Sequence, residues 1–586
     1  MENRETLSPS TRVAVVLAGA LQGVICYVIT WYIEYAKLPS DTLWLMCVIP
    51  ATVVMTTTLS LAMTSFRKPF LWLSLGMIGA VVAGMGGWLK WSVAGLDNWD
   101  IRNAVLLFGF HLLLMTLLLL PWLQRRLETA PTDAFYSDFY DKNWHNALTF
   151  LLIFVSNGLF WLVLFLWAEL FKLIGISFFD RLFFNSEWFI SVAIGVVSAS
   201  VAVLARMQVR LILALQNLLT LIATGLLPLV AALALLFIGI LPFVGLEAVS
   251  ARISAAGLLT TLALLLLLLV TVVWHPQRQK LLYLSPLRGM IYLAVIIAPA
   301  YPVLAGWALW LRIAQYGWSP ERLYGVLITI VALVWTVGFC LSVLFYRRDP
   351  QKLQAHVTPA TGLLALIFLV LVHTPVLDPW RISVESHMAR YQDGRINADQ
   401  VSLYMLSNTG RKGREAMQML QNDPKFISSP KRQREVNGLL SGDRNGVGGM
   451  TAAMLEKHIQ LAPGMPRPNH ALWKAMLREQ YRFEACSNVQ RNCLLMPLDL
   501  NGDGKPEAVL YQFSDRTVMA YTQTDTGWKL AGNVWKMPEG LTREELDRAL
   551  RQGKVKPVVK PWADIEIFGE RIDMNYDSYN SYNSAQ

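Results

Sequence analysis

The chain has 586 residues, of which 54% are hydrophobic and only 16% charged, against about 25% charged in ordinary soluble protein. Charges are confined to short segments between Arg12 and about Val376 and recur every few residues beyond Asp378, which excludes a single soluble globule. The net charge of +10 does not mark a nucleic-acid binder, because many of its cations sit at the ends of apolar runs (Arg67-Lys68, Arg125-Arg126, Arg347-Arg348) and form no contiguous basic surface.

The polar segment Met1 to Thr11 has no signal-cleavage pattern, so the first apolar run reads as a retained span. A helix needs about 20 apolar residues to cross a bilayer core. Eleven runs meet that length, at 13–33, 42–64, 70–91, 103–123, 147–170, 188–205, 211–241, 254–274, 290–311, 323–345 and 359–376. The predicted fold is a polytopic α-helical membrane bundle of about eleven spans (residues 1–376) with a C-terminal soluble α+β domain. That domain divides into a helical region (377–480), an antiparallel β-rich region (481–574) and a disordered low-complexity tail (575–586). Trp and Tyr cluster at the span ends (Trp31, Tyr32, Trp88, Trp91, Trp122, Trp274), as an aromatic belt requires.

With the N-terminus inside, the cytoplasmic segments hold fifteen Lys and Arg and the opposite loops hold eight. The positive-inside rule then puts the N-terminus in the cytoplasm, and an odd number of spans puts the C-terminal domain in the periplasm. One stretch is ambiguous. The run from Leu211 is too long for a single upright helix and carries Pro228 in its middle, so two short helices, and twelve spans, are the alternative to one tilted or kinked helix.

Ionisable side chains in hydrocarbon are costly and so mark candidate sites. Glu169, near the end of the fifth span, has Lys172 one turn on; an interfacial ion pair competes with a functional role. His111 lies inside the fourth span, where it is either a hydrogen-bonder to a neighbouring helix or a proton relay. No matched pair of broken helices and no internal repeat is visible, which counts against ion-coupled transport.

The most distinctive loop runs from Arg312 to Tyr324. Gly317 permits the turn, Ser319 is placed to cap the next helix, Pro320 fits its first position, and Glu321 suits the positive end of its dipole. Arg312, Tyr316, Trp318, Glu321, Arg322 and Tyr324 thus form either a capped hairpin or a contact surface for a ligand or partner. The segment Tyr-Gly-Trp-Ser-Pro-Glu-Arg (316–322), together with Tyr391-Gln-Asp-Gly-Arg-Ile-Asn and Gly410-Arg-Lys-Gly-Arg-Glu-Ala416 downstream, resembles the bacterial membrane family DUF4153, a domain of unknown function. The resemblance covers most of residues 1–420. It implies a bacterial inner-membrane protein and supplies no activity or catalytic residue.

Beyond the last span, short amphipathic helices are expected at Ala398–Ser407 and Gly413–Leu420, a basic loop at Ser428–Gly449 and a helix near Ala471–Gln480. Strand-like alternation follows at Cys493–Met496, Ala508–Phe513, Thr517–Thr522 and Trp528–Ala531, suggesting an antiparallel meander, and a short helix is expected at Thr542–Arg551. Cys486 and Cys493, alone in the soluble part, fit a disulfide in an oxidising compartment, with two free thiols as the alternative. Asp499, Asn501, Asp503, Lys505 and Glu507, with Gly504 at the sixth position, match the start of a calcium loop. Leu510 stands where an EF-hand would have its bidentate Glu. The two readings are a structural Ca2+ and a metal-free Asn-Gly/Asp-Gly turn.

No Ser/His/Asp, Cys/His or zinc constellation is visible. The sequence therefore supports a non-enzymatic role within the lipid bilayer: envelope sensing, or scaffolding in which the periplasmic domain binds another envelope protein. The rivals are a transporter or flippase with a polar path through the bundle, and a glycan-modifying enzyme using Asp97, Asp100 and Asp180 near the outer face.

Overall fold

The structure is a computed structural model. It describes residues 7–36, 44–65, 67–96, 98–128, 135–244, 255–276, 281–346, 350–440, 452–477, 486, 493–513, 517–524, 527–534, 545, 548–550, 552, 565–567 and 570–572. Contacts divide the chain into two compact units, Met1–Lys425 and Phe426–Gln586.

The first unit begins with α1 (Pro9–Tyr35), α2 (Ile49–Ala62), α3 (Pro69–Val93), α4 (Asn98–Glu128), α5 (Phe135–Leu173), α6 (Phe178–Phe184) and α7 (Glu187–Met207). It continues with α8 (Val209–Val244), α9 (Ala255–Val273), α10 (Ser285–Ile297), α11 (Ala300–Tyr316), α12 (Pro320–Phe345) and α13 (Gln351–Leu371). Among the described residues eleven helical segments are long and apolar enough to cross a membrane, with α10 and α11 counted as one. They match the eleven expected runs in order. α8 passes unbroken through Pro228, so the first run of the ambiguous stretch is one helix. The missing proline N–H costs a single hydrogen bond, while Leu227, Val230, Ala231 and Ala234 pack into one core with α9, α10 and α11. The last helix starts earlier than expected, at Gln351, and carries Pro359 inside it.

Helix starts follow one local rule. Ser8-Pro9, Ser319-Pro320 and Asp378-Pro379 each set a side-chain acceptor at the N-cap and proline just inside the helix. Helix crossings follow another. A Cβ on Gly19 would collide with the Gly195 carbonyl, and one on Gly195 with the Gly19 carbonyl, so α1 and α7 meet backbone to backbone through small residues four apart.

Alternation of the spans brings the ends of α3 and α13 and the starts of α4 and α12 to one end of the bundle. There the chain adds α14 (Pro379–Gln392), α15 (Leu403–Ser407) and α16 (Gly410–Gln421). Gly410, at φ 59°, sits against the Ser92 carbonyl, and Arg411 and Lys412 lie over the Trp91 ring at 4.9 and 5.5 Å. These helices form a cap on the bundle. The opposite end is tied by charge. Arg125 meets Asp138 at 3.1 Å, Lys142 bridges Asp138 at 3.3 Å and also contacts Glu128, and Gln124 and Asn146 exchange two 2.9 Å hydrogen bonds. Arg206 donates to the carbonyls of Ser60 and Met63 that end α2.

The second unit opens with helices α18 (Pro430–Leu440), α19 (Ala452–His458) and α20 (His470–Leu477), after the short α17 (Pro424–Ile427). α18 replaces the first half of the loop expected at 428–449; residues 441–449 lie outside the described residues. The helix's basic residues suggested solvent, but Val436 and Leu439, one turn apart, are buried, and Arg432 and Glu435 are buried beside them as an ion pair at 2.8 Å. Strands β1 (Gln460–Leu461), β2 (Cys493–Leu498), β3 (Glu507–Gln512), β4 (Thr517–Thr524) and β5 (Gly527–Val534) form one sheet in that order; β6 (Ile565–Ile567) and β7 (Glu570–Ile572) pair separately. β2 to β5 are the expected antiparallel meander, with β1 added in parallel beside β2. β3 is buried on both faces: Leu510 joins Leu472, Trp473 and Met476, while Val509 and Tyr511 join Leu494 and Phe513. Cys486 and Cys493 form a buried disulfide at the start of β2. Most of the helix expected at 542–551, and the tail from 575, lie outside the described residues.

Candidate functional site

At the cap end of the bundle the helix termini enclose a cavity of about 430 Å³ lined from α3, α4, α12, α14 and the turn after α13. Its base is a histidine pair. His111 Nδ1 and His373 Nε2 face each other at 2.8 Å, and both rings are buried. One nitrogen donates and the other accepts, which ties the fourth span to the turn after α13. Phe108 packs edge-on to His373 at 4.9 Å, and the Tyr324 ring lies 5.7 Å from His111.

Asp378 forms the roof. It is 4% exposed, and every one of its hydrogen bonds has a structural purpose. Oδ1 accepts the backbone N–H groups of Trp380 and Arg381 at 2.9 and 3.1 Å, capping α14. Oδ2 accepts Trp88 Nε1 at 2.9 Å and Ser92 Oγ at 3.2 Å. Trp88 and Ser92 are four residues apart on α3 and therefore share a face. One carboxylate thus fastens the start of the cap to the end of the third span. A second cavity, of about 450 Å³, adjoins the first across Trp88 and His373, with Trp91, Gly84 and Gly87 in its wall.

The residues singled out in the 312–324 loop divide in two. Glu321 and Tyr324 line the His111 cavity. Arg312 and Arg322 instead stack over Tyr316 at 5.9 and 5.6 Å, and Arg322 Nη1 donates to the Gly317 carbonyl at 2.6 Å. Trp318 packs with Leu323, Val372 and Ile382. Ser319 caps α12, accepting the Arg322 N–H. The loop docks on α14: the Trp318 N–H donates to Ser386 Oγ at 3.1 Å, and the Arg390 guanidinium donates to the Ala314 and Gln315 carbonyls at the C-terminal end of α11. Gly317, at φ 80°, lets α14 approach closely, since a Cβ there would press on Ser386 and Arg390.

Deeper in the cap, His387 Nε2 accepts the Ser402 N–H at 3.0 Å. Burial and the nearby Arg390 lower its pKa. Tyr391 donates to Asp423 at 2.7 Å; burial and that carboxylate push the phenol up to about 12.

Glu169 lies outside this site. It pairs with Lys172 at 3.3 Å on an exposed face of α5. The 499–507 loop belongs to the second unit. Asp499 accepts the N–H groups of Gly502 and Gly504, Asn501 that of Asp503, and Asp503 that of Lys505. Glu507 accepts the Leu500 N–H and the Thr522 hydroxyl. The side chains that would hold calcium are therefore turned toward the loop's own backbone, and among the described residues no three His, Cys, Asp or Glu side chains converge as metal ligands. The Asp503 carboxyl is held below its usual value by these bonds, the Lys505 N–H first.

His373, Asp378, Trp88 and Ser92 were not identified from the sequence. His111 and His373 are 262 positions apart, and no local spacing connects them.

Fold and cavity define a multi-pass helical membrane protein with a ligand-sized pocket at one end of its bundle. Residues 42–420 match the family model described as Domain of unknown function (DUF4153). The chain belongs to that family, which the 316–322 and 391–416 segments resemble. The match begins after α1 and ends within α16, so the rest of the bundle and the cap lie in the family region and the sheet unit lies beyond it. No match is found among curated proteins or solved structures.

Proposed function

We propose that the protein is an envelope sensor or scaffold of the bacterial inner membrane: the cap-end cavity receives a small ligand, and the second unit, in the periplasm, engages another envelope protein. The observation that carries this reading is the His111–His373 cavity closed by Asp378, because a ligand there would bear directly on the helix that opens the cap. Cation bias supports a cytoplasmic N-terminus. A disulfide in the second unit accords with an oxidising compartment.

Two experiments test it. A phosphatase reporter fused after Gln586 should be active, and activity only for a cytosolic reporter refutes the orientation. A photo-reactive phenylalanine analogue at Leu500, which is 50% exposed, should give a discrete adduct in intact cells whose yield changes in His111→Leu. Absence of any adduct removes the scaffold reading.

Transport or lipid flipping is the second reading, favoured because His111 does line a cavity. It requires flux in proteoliposomes that His111→Leu reduces. Neither Asp100 nor Asp180 lines the cavity, which leaves the glycan-enzyme reading without support, and Asp97 lies outside the described residues. A structural Ca2+ in the 499–507 loop is a separate proposal. Calorimetric titration of calcium into the full-length protein decides it: saturable heat near one equivalent supports the ion, a flat trace removes it.

A further inference from the structure

The cavity of about 450 Å³ beside His373 is a groove on the lipid-facing surface of the bundle. Its wall runs along α3 from Val81 to Trp91 and is completed by Val370 and the turn after α13. Val81 and Gly84 are exposed on α3, so the groove is open on that side. From Val81 to Trp91 the helix rises about 15 Å, half of a bilayer core about 30 Å thick. An acyl chain of one leaflet has that length. A Cβ on Gly84 or Gly87 would meet no atom within 4 Å, so the space beside them is free. Trp88 and Trp91, stacked at 4.6 Å, stand at the end of the groove where Lys90 marks the edge of the hydrocarbon.

At that end the opening of α16 brings three cations together. Arg411 and Lys412 lie over the Trp91 ring that lines the groove, and Arg414 lies against Gly95, just past α3. Their placement runs against the helix's own field. The first turn is the positive end of the dipole, where acids gain stability and cations lose it, and the first turn of α16 holds no acid. Among the described residues Glu415 answers the cluster, pairing with Arg411 at 3.2 Å and Lys412 at 2.8 Å. Three cations against one carboxylate leave positive charge unmatched at the mouth of an apolar groove. Asp378 and Glu321 do not supply it, because both line the neighbouring cavity rather than this one.

Groove and charge together select the occupant. A free anion would leave the apolar slot empty, and a zwitterionic lipid would bring a cation of its own to a site already rich in them. An acyl chain joined to an anionic head answers both. We propose that this groove holds an anionic glycerophospholipid of the surrounding bilayer, one chain lying along Val81 to Trp91 and the head group against Arg411, Lys412 and Arg414. The His111 cavity lies on the other side of Trp88 and His373, and the inference does not rest on a ligand there.

The test titrates purified full-length protein in detergent with palmitoyl-oleoyl phosphatidylglycerol or the matching phosphatidylcholine, read by native mass spectrometry. Phosphatidylglycerol should bind saturably and about fivefold or more tightly than phosphatidylcholine. Arg411→Gln combined with Lys412→Gln should weaken it about tenfold and erase the preference, whereas Lys412→Arg should keep both. Glu415→Gln, which unmasks the same cations, should tighten binding about threefold, a gain that a purely structural cluster would not give. Gly84→Leu, which fills the groove and leaves every charge in place, should abolish saturable binding. His111→Leu should bind the lipid as the wild type does, so the cap-end reading and this one fail separately. Equal affinity for the two lipids, unchanged affinity in the double variant, or full displacement by inorganic phosphate would each overturn the proposal. Because Glu415→Gln and the double variant shift affinity in opposite directions, misfolding cannot imitate both.

Discussion

The two ends of the bundle are held by different chemistry. At the cap end one buried carboxylate accepts four hydrogen bonds from neutral donors, and two histidine rings hydrogen-bond each other. At the opposite end the links are ionic: Lys142 serves two carboxylates, Arg125 shares one of them, and Arg206 closes the end of α2. Both arrangements leave room beside them, since cavities of about 430 and 440 Å³ adjoin the two ends. What differs is the cost of losing one member, which strands neutral donors at the cap end and a buried cation at the other.

That contrast predicts a graded series, read as the unfolding midpoint in detergent with a thiol-reactive dye reporting the free Cys26, Cys47 and Cys340. Asp378→Ala orphans four donors at once and should cost the most, about 4 kcal/mol, while Asp378→Asn, which keeps one acceptor oxygen, should recover about half. Should Asp378→Ala match the wild type, Asp378 does not anchor the cap. Lys142→Met should cost about 2 kcal/mol, less than a fully buried pair because Asp138 and Glu128 keep access to water; a salt titration should leave this loss largely unchanged. His387 carries the pH dependence. Its folded pKa is lowered, so the unfolded chain binds the proton more readily. The contribution of neutral His387 is complete above the ordinary imidazole value and is lost as pH falls from there through the lowered value. Between pH 7 and 5 the wild type should lose up to about 1 kcal/mol per pH unit relative to His387→Gln, and parallel pH curves for the two proteins would remove the residue from the account. Glu169→Gln, whose ion pair is open to its surroundings, should change stability by about 0.5 kcal/mol or less. A larger loss would give Glu169 the functional weight that its geometry withholds.

The spans were legible because lipid imposes a single requirement, length of apolar run, which a sequence displays directly. Ser319, Pro320 and Gly317 were legible for a similar reason: caps and turns are decided within four residues. The cavity was not. His111 and Tyr324 stood out separately, the one as an ionisable group in an apolar run and the other in a polar loop, yet their meeting with His373 and Asp378 depends on how spans three, four, ten and eleven pack. α18 was misread as a loop because its basic residues were weighed and the Val436/Leu439 spacing was not. Composition reports solvent exposure averaged over a segment; it is silent on which face turns inward.

The meeting of Gly19 with Gly195 has a consequence for how the molecule is made. Each glycine leaves no room for a side chain against the other's carbonyl, and this partner of α1 is translated roughly 180 residues later. At a synthesis rate of about 5–20 residues per second, the first helix spends on the order of ten to thirty seconds in the bilayer before its partner arrives. A chaperone or insertase that shelters lone hydrophobic helices would find its client in that interval, and slowing translation between the two glycines would lengthen the wait.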